Sequence, residues 1–136
     1  MEFFQARGCP AATLAEDFLI ASDRHALDWR LLPGICFIET TGGKSLSNHN
    51  LNLFGWGSGK RRFMSARSGI HTVAQQLAKS KLYRGKNLAS VLGTYNRHPR
   101  YAARVQAVMR LIGPAGPSKI GSWAANVPYS SNLTPK

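Results

Sequence analysis

Aspartate and glutamate are absent from residues 40–136; the six acids (Glu2, Glu16, Asp17, Asp23, Asp28, Glu39) all lie at or before position 39. Most of the chain therefore cannot contribute a carboxylate pair, and no metal or other cofactor is expected. Cysteine is scarce: Cys9 and Cys36 allow at most one intramolecular disulfide, and either a bridge or two buried thiols fits their place near helices. No stretch approaches the run of about 18 apolar residues that marks a transmembrane helix. The opening Met1-Glu2-Phe3-Phe4-Gln5-Ala6-Arg7-Gly8 has no apolar core behind a basic start. It does not read as a secretory signal, so export would need a leader removed upstream or another route.

What is present is base. The chain of 136 residues has 18 Lys and Arg and a formal net charge of +12, and only Arg7, Arg24 and Arg30 precede Thr40. A surface of that sign concentrates polyanions. Nucleic acid, anionic lipid and bacterial cell wall are the candidate partners. Against nucleic acid, Lys60-Arg61-Arg62 is the only dense basic run and no recognition motif accompanies it, so no specific nucleic-acid partner is expected. With 43% hydrophobic residues and 18% charged, the chain reads as folded, and its length suits one domain.

Apolar spacing predicts a mainly α fold. A first helix is expected over 10–22, with Pro10 at its first position and Ala11, Leu14, Ala15 and Phe18 on one face. A second, over 28–39, is apolar almost all round (Leu31, Leu32, Ile35, Cys36, Phe37, Ile38) and so belongs in the middle of the fold, with Pro33 loosening its first turn. Residues 44–64 lack helical period. Leu53–Gly57 and Arg62–Met64 read as two short strands around Ser58-Gly59-Lys60, a small hairpin. Ser65 caps a helix over 66–79, a short helix follows over 88–93, and the final helix opens at Pro99 and closes at Gly113-Pro114. The domain is taken as residues 1–113. Residues 114–136, rich in Gly, Pro, Ser and Asn, are taken as a tail packed on it or trailing from it.

Glu39 stands out chemically. It follows Ile35, Cys36, Phe37 and Ile38, and apolar surroundings disfavour an ionised carboxyl. A carboxyl kept partly protonated can donate a proton to a glycosidic oxygen. The abundant cations oppose that shift, and a surface salt bridge, with Lys44 for example, is the ordinary alternative.

Three blocks carry a family resemblance. Residues 27–43, an apolar stretch ending in Glu39-Thr40-Thr41-Gly42-Gly43, resemble the catalytic helix of lysozyme-superfamily enzymes. Asn52-Leu53-Phe54-Gly55-Trp56-Gly57 resembles the Asn-Leu-Phe-Gly motif of the flagellar-type and autolysin N-acetylglucosaminidases, glycoside hydrolase family 73. Tyr95-Asn96-Arg97-His98-Pro99-Arg100-Tyr101-Ala102 resembles that family's tyrosine motif leading into the last helix. The resemblance spans about residues 10–113 and implies a lysozyme-like domain with a small β-hairpin or loop lobe. It implies peptidoglycan as substrate, anionic wall polymers as further partners, and a monomer that is secreted, periplasmic or wall-associated. Glu39 matches the catalytic acid and Tyr95 the active-site tyrosine, whose hydroxyl would hold a water or an N-acetyl group. Asn52, Phe54 and Trp56 match cleft positions, and Ser47, Asn96 and His98 complete the expected substrate-binding set.

The sequence departs from that family in one respect: many members place a second glutamate in the β-like lobe, and here residues 40–136 have none. Glycosidases ordinarily use two carboxyl groups. Substrate assistance by the 2-acetamido oxygen, or water positioned by Tyr95, Asn96 or Ser47, would fill the gap; His98 and His71 are candidates for a weak base. The alternatives are a wall-binding protein with weak or no turnover and, less well supported, a basic nucleic-acid binder. Glucosaminidase and muramidase specificity are not separated by the sequence.

Overall fold

The computed structural model describes residues 1–115. Among these the fold is mainly α, with helices α1 (Glu2–Ala6), α2 (Ala15–Arg24), α3 (Leu31–Thr40), α4 (Ala66–Lys79), α5 (Leu88–Tyr95) and α6 (Tyr101–Ile112), and a short 3-10 helix, Pro10–Leu14, leading into α2. Nearly all of the expected tail, residues 116–136, lies outside the described residues. No helix among them is long and apolar enough to cross a membrane.

Helix α3 is the axis of the core. Leu31, Leu32, Ile35 and Cys36 are buried on it, as its all-round apolar sequence requires. Pro33 sits in the first turn, where the N–H it lacks has no intrahelical partner to lose, so the helix passes through it. Helix α6 packs along α3 through Tyr101, Val105, Val108 and Met109. Gly34 permits the approach: a Cβ there would lie 3.0 Å from Met109 Cγ and 3.3 Å from Val105 Cγ1. At the far end of the pair, Asp28 holds the Arg30 guanidinium in a fork (2.8 and 3.0 Å). Arg30 in turn donates to the Gly113 carbonyl, and the Trp29 indole N–H donates to that of Pro114.

Helices α2 and α4 form the second packed pair. Helix α4 keeps the bounds its sequence predicts, because Ser65 accepts from the Ser68 N–H while the Ser68 hydroxyl accepts from the Ser65 N–H, a reciprocal cap. Between the pair, His71 Nε2 lies 3.5 Å from Asp17 Oδ1, and Arg67 donates to the same carboxylate.

Two expectations change, and the choice left open for the cysteines is settled. The helix expected over 10–22 is split into a 3-10 turn and α2, because Leu14 leaves helical geometry. Cys9 and Cys36 are both buried and free, and burial pushes the Cys36 thiol up to about 12. The hairpin does not form: no strand occurs among the described residues, and 41–64 is a succession of turns. Gly55 and Gly57 take positive φ inside the first expected strand, which breaks the extended backbone that strand pairing needs.

Candidate active site

Helix α3 ends beside the turn-rich segment, and its last residues are tied to it. The Thr40 hydroxyl donates to the Leu53 carbonyl (2.9 Å) and accepts from the Gly43 N–H (3.1 Å), while Thr41 closes the helix in left-handed geometry. One residue earlier, Glu39 projects into a cleft of about 780 Å³. One wall is the segment 45–59, with Ser45, Ser47, Asn50, Asn52 and Gly55 to Gly59 on its lining; Tyr83, Tyr95 and Asn96 face it.

With no strand ladder, the wall is held by turn bonds and by side-chain amides. Asn52, 4% exposed, uses its whole amide: Nδ2 donates to the carbonyls of Trp56 (2.8 Å) and Arg61 (3.0 Å), and Oδ1 accepts from the N–H groups of Phe54 (3.3 Å) and Trp56 (3.0 Å). Asn50 donates to the Gly59 carbonyl (2.9 Å) and accepts from the Asn52 N–H (3.1 Å). Buried amides satisfied in this way fix a loop as a ladder would.

Four aromatic rings lie in succession, Trp56 on that wall and Tyr83, Tyr95 and Tyr101 from other parts of the chain. Trp56 lies with its ring centroid 6.1 Å from that of Tyr83 and 5.6 Å from that of Tyr95. Tyr95 stacks on Tyr101 with centroids 6.0 Å apart and planes 4° from parallel. The Tyr95 hydroxyl donates to the Phe54 carbonyl, and Tyr101 donates to Glu39 Oε2 at 2.9 Å. The other Glu39 oxygen lies beside Gly55, where a Cβ would sit 2.6 Å from Oε1. Gly55 also has φ +62°, so glycine is required there twice over.

Burial raises the Glu39 pKa above its ordinary value; the Tyr101 hydrogen bond and the positive charge of Arg104 pull the other way without cancelling it. Burial likewise raises Tyr95 well above the usual phenol range, and Tyr101 too, where the neighbouring Glu39 charge adds to the effect. Both phenols stay protonated at neutral pH. Among the described residues Glu39 is the only carboxylate, and the only ordinarily charged side chain, that lines the cleft. Asp17 and Asp28 are engaged with Arg67 and Arg30 elsewhere.

The expected site residues divide. Glu39, Tyr95, Trp56, Asn52, Ser47 and Asn96 come together on the cleft. Phe54 does not: it is fully buried, its ring packed edge-on against Phe18, so it cannot be a sugar platform. Asn52 reaches the lining with every amide bond already made, so it shapes the wall and has no hydrogen-bonding capacity left for an N-acetyl group. The single Tyr95 proton goes to the Phe54 carbonyl, so that hydroxyl can accept from a ligand or water but not donate. His98 is exposed, accepts from the Arg100 N–H through Nδ1 (3.1 Å), and does not line the cleft. His71 lies buried against α2, also off the cleft, so neither histidine stands where a base would act.

Sequence reasoning missed Tyr83, Tyr101 and Gly55 as site residues. Tyr101 carried a usable signal, since a phenol on an otherwise apolar buried stripe needs a partner for its hydroxyl. The proximity of Gly55 to Glu39 is tertiary and leaves no local trace. Comparison with protein-family models, with curated proteins and with solved structures finds no match.

Proposed function

We propose that this protein is a lysozyme-like peptidoglycan hydrolase that cleaves the β-1,4 glycan strand, of the N-acetylglucosaminidase type, with Glu39 as general acid. The observation that carries the reading is a half-buried carboxyl of raised pKa, among the described residues the sole ordinarily charged group lining an open cleft walled by aromatic rings and amides. Desolvation favours the protonated form that an acid catalyst needs. Aromatic faces suit the apolar face of a pyranose, and the exposed Ser47 and Asn96 offer polar contacts at the rim. The basic surface suits a wall bearing peptide carboxylates and anionic polymers.

With no second carboxylate on the cleft, the anomeric carbon is met by the substrate's own 2-acetamido oxygen, or by water held on neutral groups such as the Tyr95 hydroxyl and Asn96. The glycan itself then supplies what the protein lacks, an exception to the two-carboxyl scheme that is known among glycosidases.

The same absence favours a second reading, a wall-binding protein with little turnover. Digestion of purified peptidoglycan, reduction, and mass spectrometry of the fragments separates the two and identifies the sugar bearing the new reducing end. The hydrolase reading predicts new reducing ends with the wild-type protein and a loss of about a hundredfold or more with Glu39→Gln, wall binding being retained. Binding without new ends supports the second reading; unchanged turnover in Glu39→Gln removes Glu39 as the acid.

A further inference from the structure

The two oxygens of Glu39 have different surroundings. Oε2 accepts from the Tyr101 hydroxyl, and Oε1 lies against the Gly55 backbone, which lines the cleft. A neutral carboxyl has one proton and two oxygens, and its carbonyl oxygen is the better acceptor. A fixed donor at one oxygen therefore selects the other for the proton. Tyr101 is such a donor. It is 3% exposed, its ring is held in the stack on Tyr95, and its hydroxyl donates to Glu39.

We propose that Tyr101 is a positioning residue that keeps Oε2 as the acceptor and leaves the transferable proton of Glu39 on Oε1, the oxygen beside Gly55. The use made of that proton rests on the hydrolase reading; the placement of the proton does not. On transfer, the Oε1–H bond breaks and the proton joins the glycosidic oxygen, which keeps the electron pair of its bond to the anomeric carbon. Water then completes the reaction: one of its protons restores Glu39 and the other stays on the new hydroxyl. The Tyr101 hydrogen bond to Oε2 persists throughout and stabilises the carboxylate formed in between.

The groups facing Glu39 set the sign of the test. Tyr101 and Arg104 come from α6 and Tyr95 from α5, with Tyr83 beyond Tyr101; the loop residues lining the cleft do not titrate in the accessible range. Both Tyr101 and Arg104 favour the ionised carboxyl. Tyr101→Phe removes only the hydroxyl and keeps the stacked ring, so the Glu39 titration must move to higher pH. The measurement is carbon-13 NMR of the glutamate carboxyls, with only Glu2, Glu16 and Glu39 to assign and Glu39→Gln to identify the third. Lysis should fall roughly tenfold or more, as expected for a mispositioned acid, while its alkaline limb moves to higher pH. A merely structural role would lower the rate and leave the limb in place. If Tyr101→Phe does not fold, 3-fluorotyrosine placed at 101 strengthens the donor and must move the Glu39 titration the opposite way. An unmoved titration in either folded variant overturns the proposal. A moved titration in a protein that never cleaves glycan leaves the proposal standing and refutes the hydrolase reading alone.

Discussion

The cleft is made by two regions that reach order by different means. Helices α3 and α6 meet their backbone hydrogen bonds internally, so their side chains are free to pack, and the acid is placed by that packing. The segment 41–64 has no ladder; its carbonyls and N–H groups are met by short-range turn bonds together with the amides of Asn50 and Asn52 and the Thr40 hydroxyl. One region depends on shape, the other on a few polar atoms. A single polar deletion in the loop should therefore do more than a single methyl gained in the helices.

Asn52→Ala is the sharpest way to test that contrast. It removes four hydrogen bonds and strands buried backbone groups, and we expect a cost of about 3 kcal/mol, concentrated in the loop. Hydrogen exchange at the Phe54 and Trp56 amides, compared with Val105 in α6, reads it; uniform acceleration at all three would show the loop and helices to be one cooperative unit. Gly34→Ala is the counterpart on the helical side. Its new methyl meets Met109 and Val105 at 3.0 and 3.3 Å, which predicts a loss of about 2 kcal/mol in denaturant unfolding. A cost larger than that of Asn52→Ala would reverse the comparison.

The smallest expected effect is a gain. The folded-state pKa of Glu39 lies above its unfolded value, so the unfolded chain ionises first as pH rises and the native state loses stability. Glu39→Gln should raise the melting temperature at neutral pH by at most a few degrees, the gain fading as pH falls through the ordinary glutamate value of 4.5. A gain that persists well below that pH would come from something other than the charge.

Much of the helical frame was legible in the sequence. The spacing of Ile70, Val73, Ala74 and Leu77 after Ser65 defines α4 because cap and period agree. The burial of α3 follows from its lack of a polar face. Helix α1, at five residues, is too short for any period to appear. The hairpin failed because the apolar residues of 53–57 and 62–64 look like strands, whereas Gly55 and Gly57, inside the first of them, turn the chain instead. The reason for singling out Glu39, its apolar helical neighbours, is only partly right. Its preceding helical neighbours Phe37 and Ile38 are themselves half-exposed, and the groups in closest contact with its carboxyl are Tyr101 and Gly55, brought in from α6 and the loop. Phe54 shows the converse error, an aromatic residue in a motif that packs inward.

The bond from Thr40 to the Leu53 carbonyl has a mechanical consequence. The residue next to the acid is also the peg on which the opposing wall hangs. A displacement of the tip of α3 carries the Glu39 carboxyl and the wall together, so the gap between them is set by one short covalent step and one hydrogen bond rather than by the distant packing of the domain. Widening the groove for a bulkier ligand would have to come from the aromatic side, where Tyr83 and Tyr95 belong to other parts of the chain.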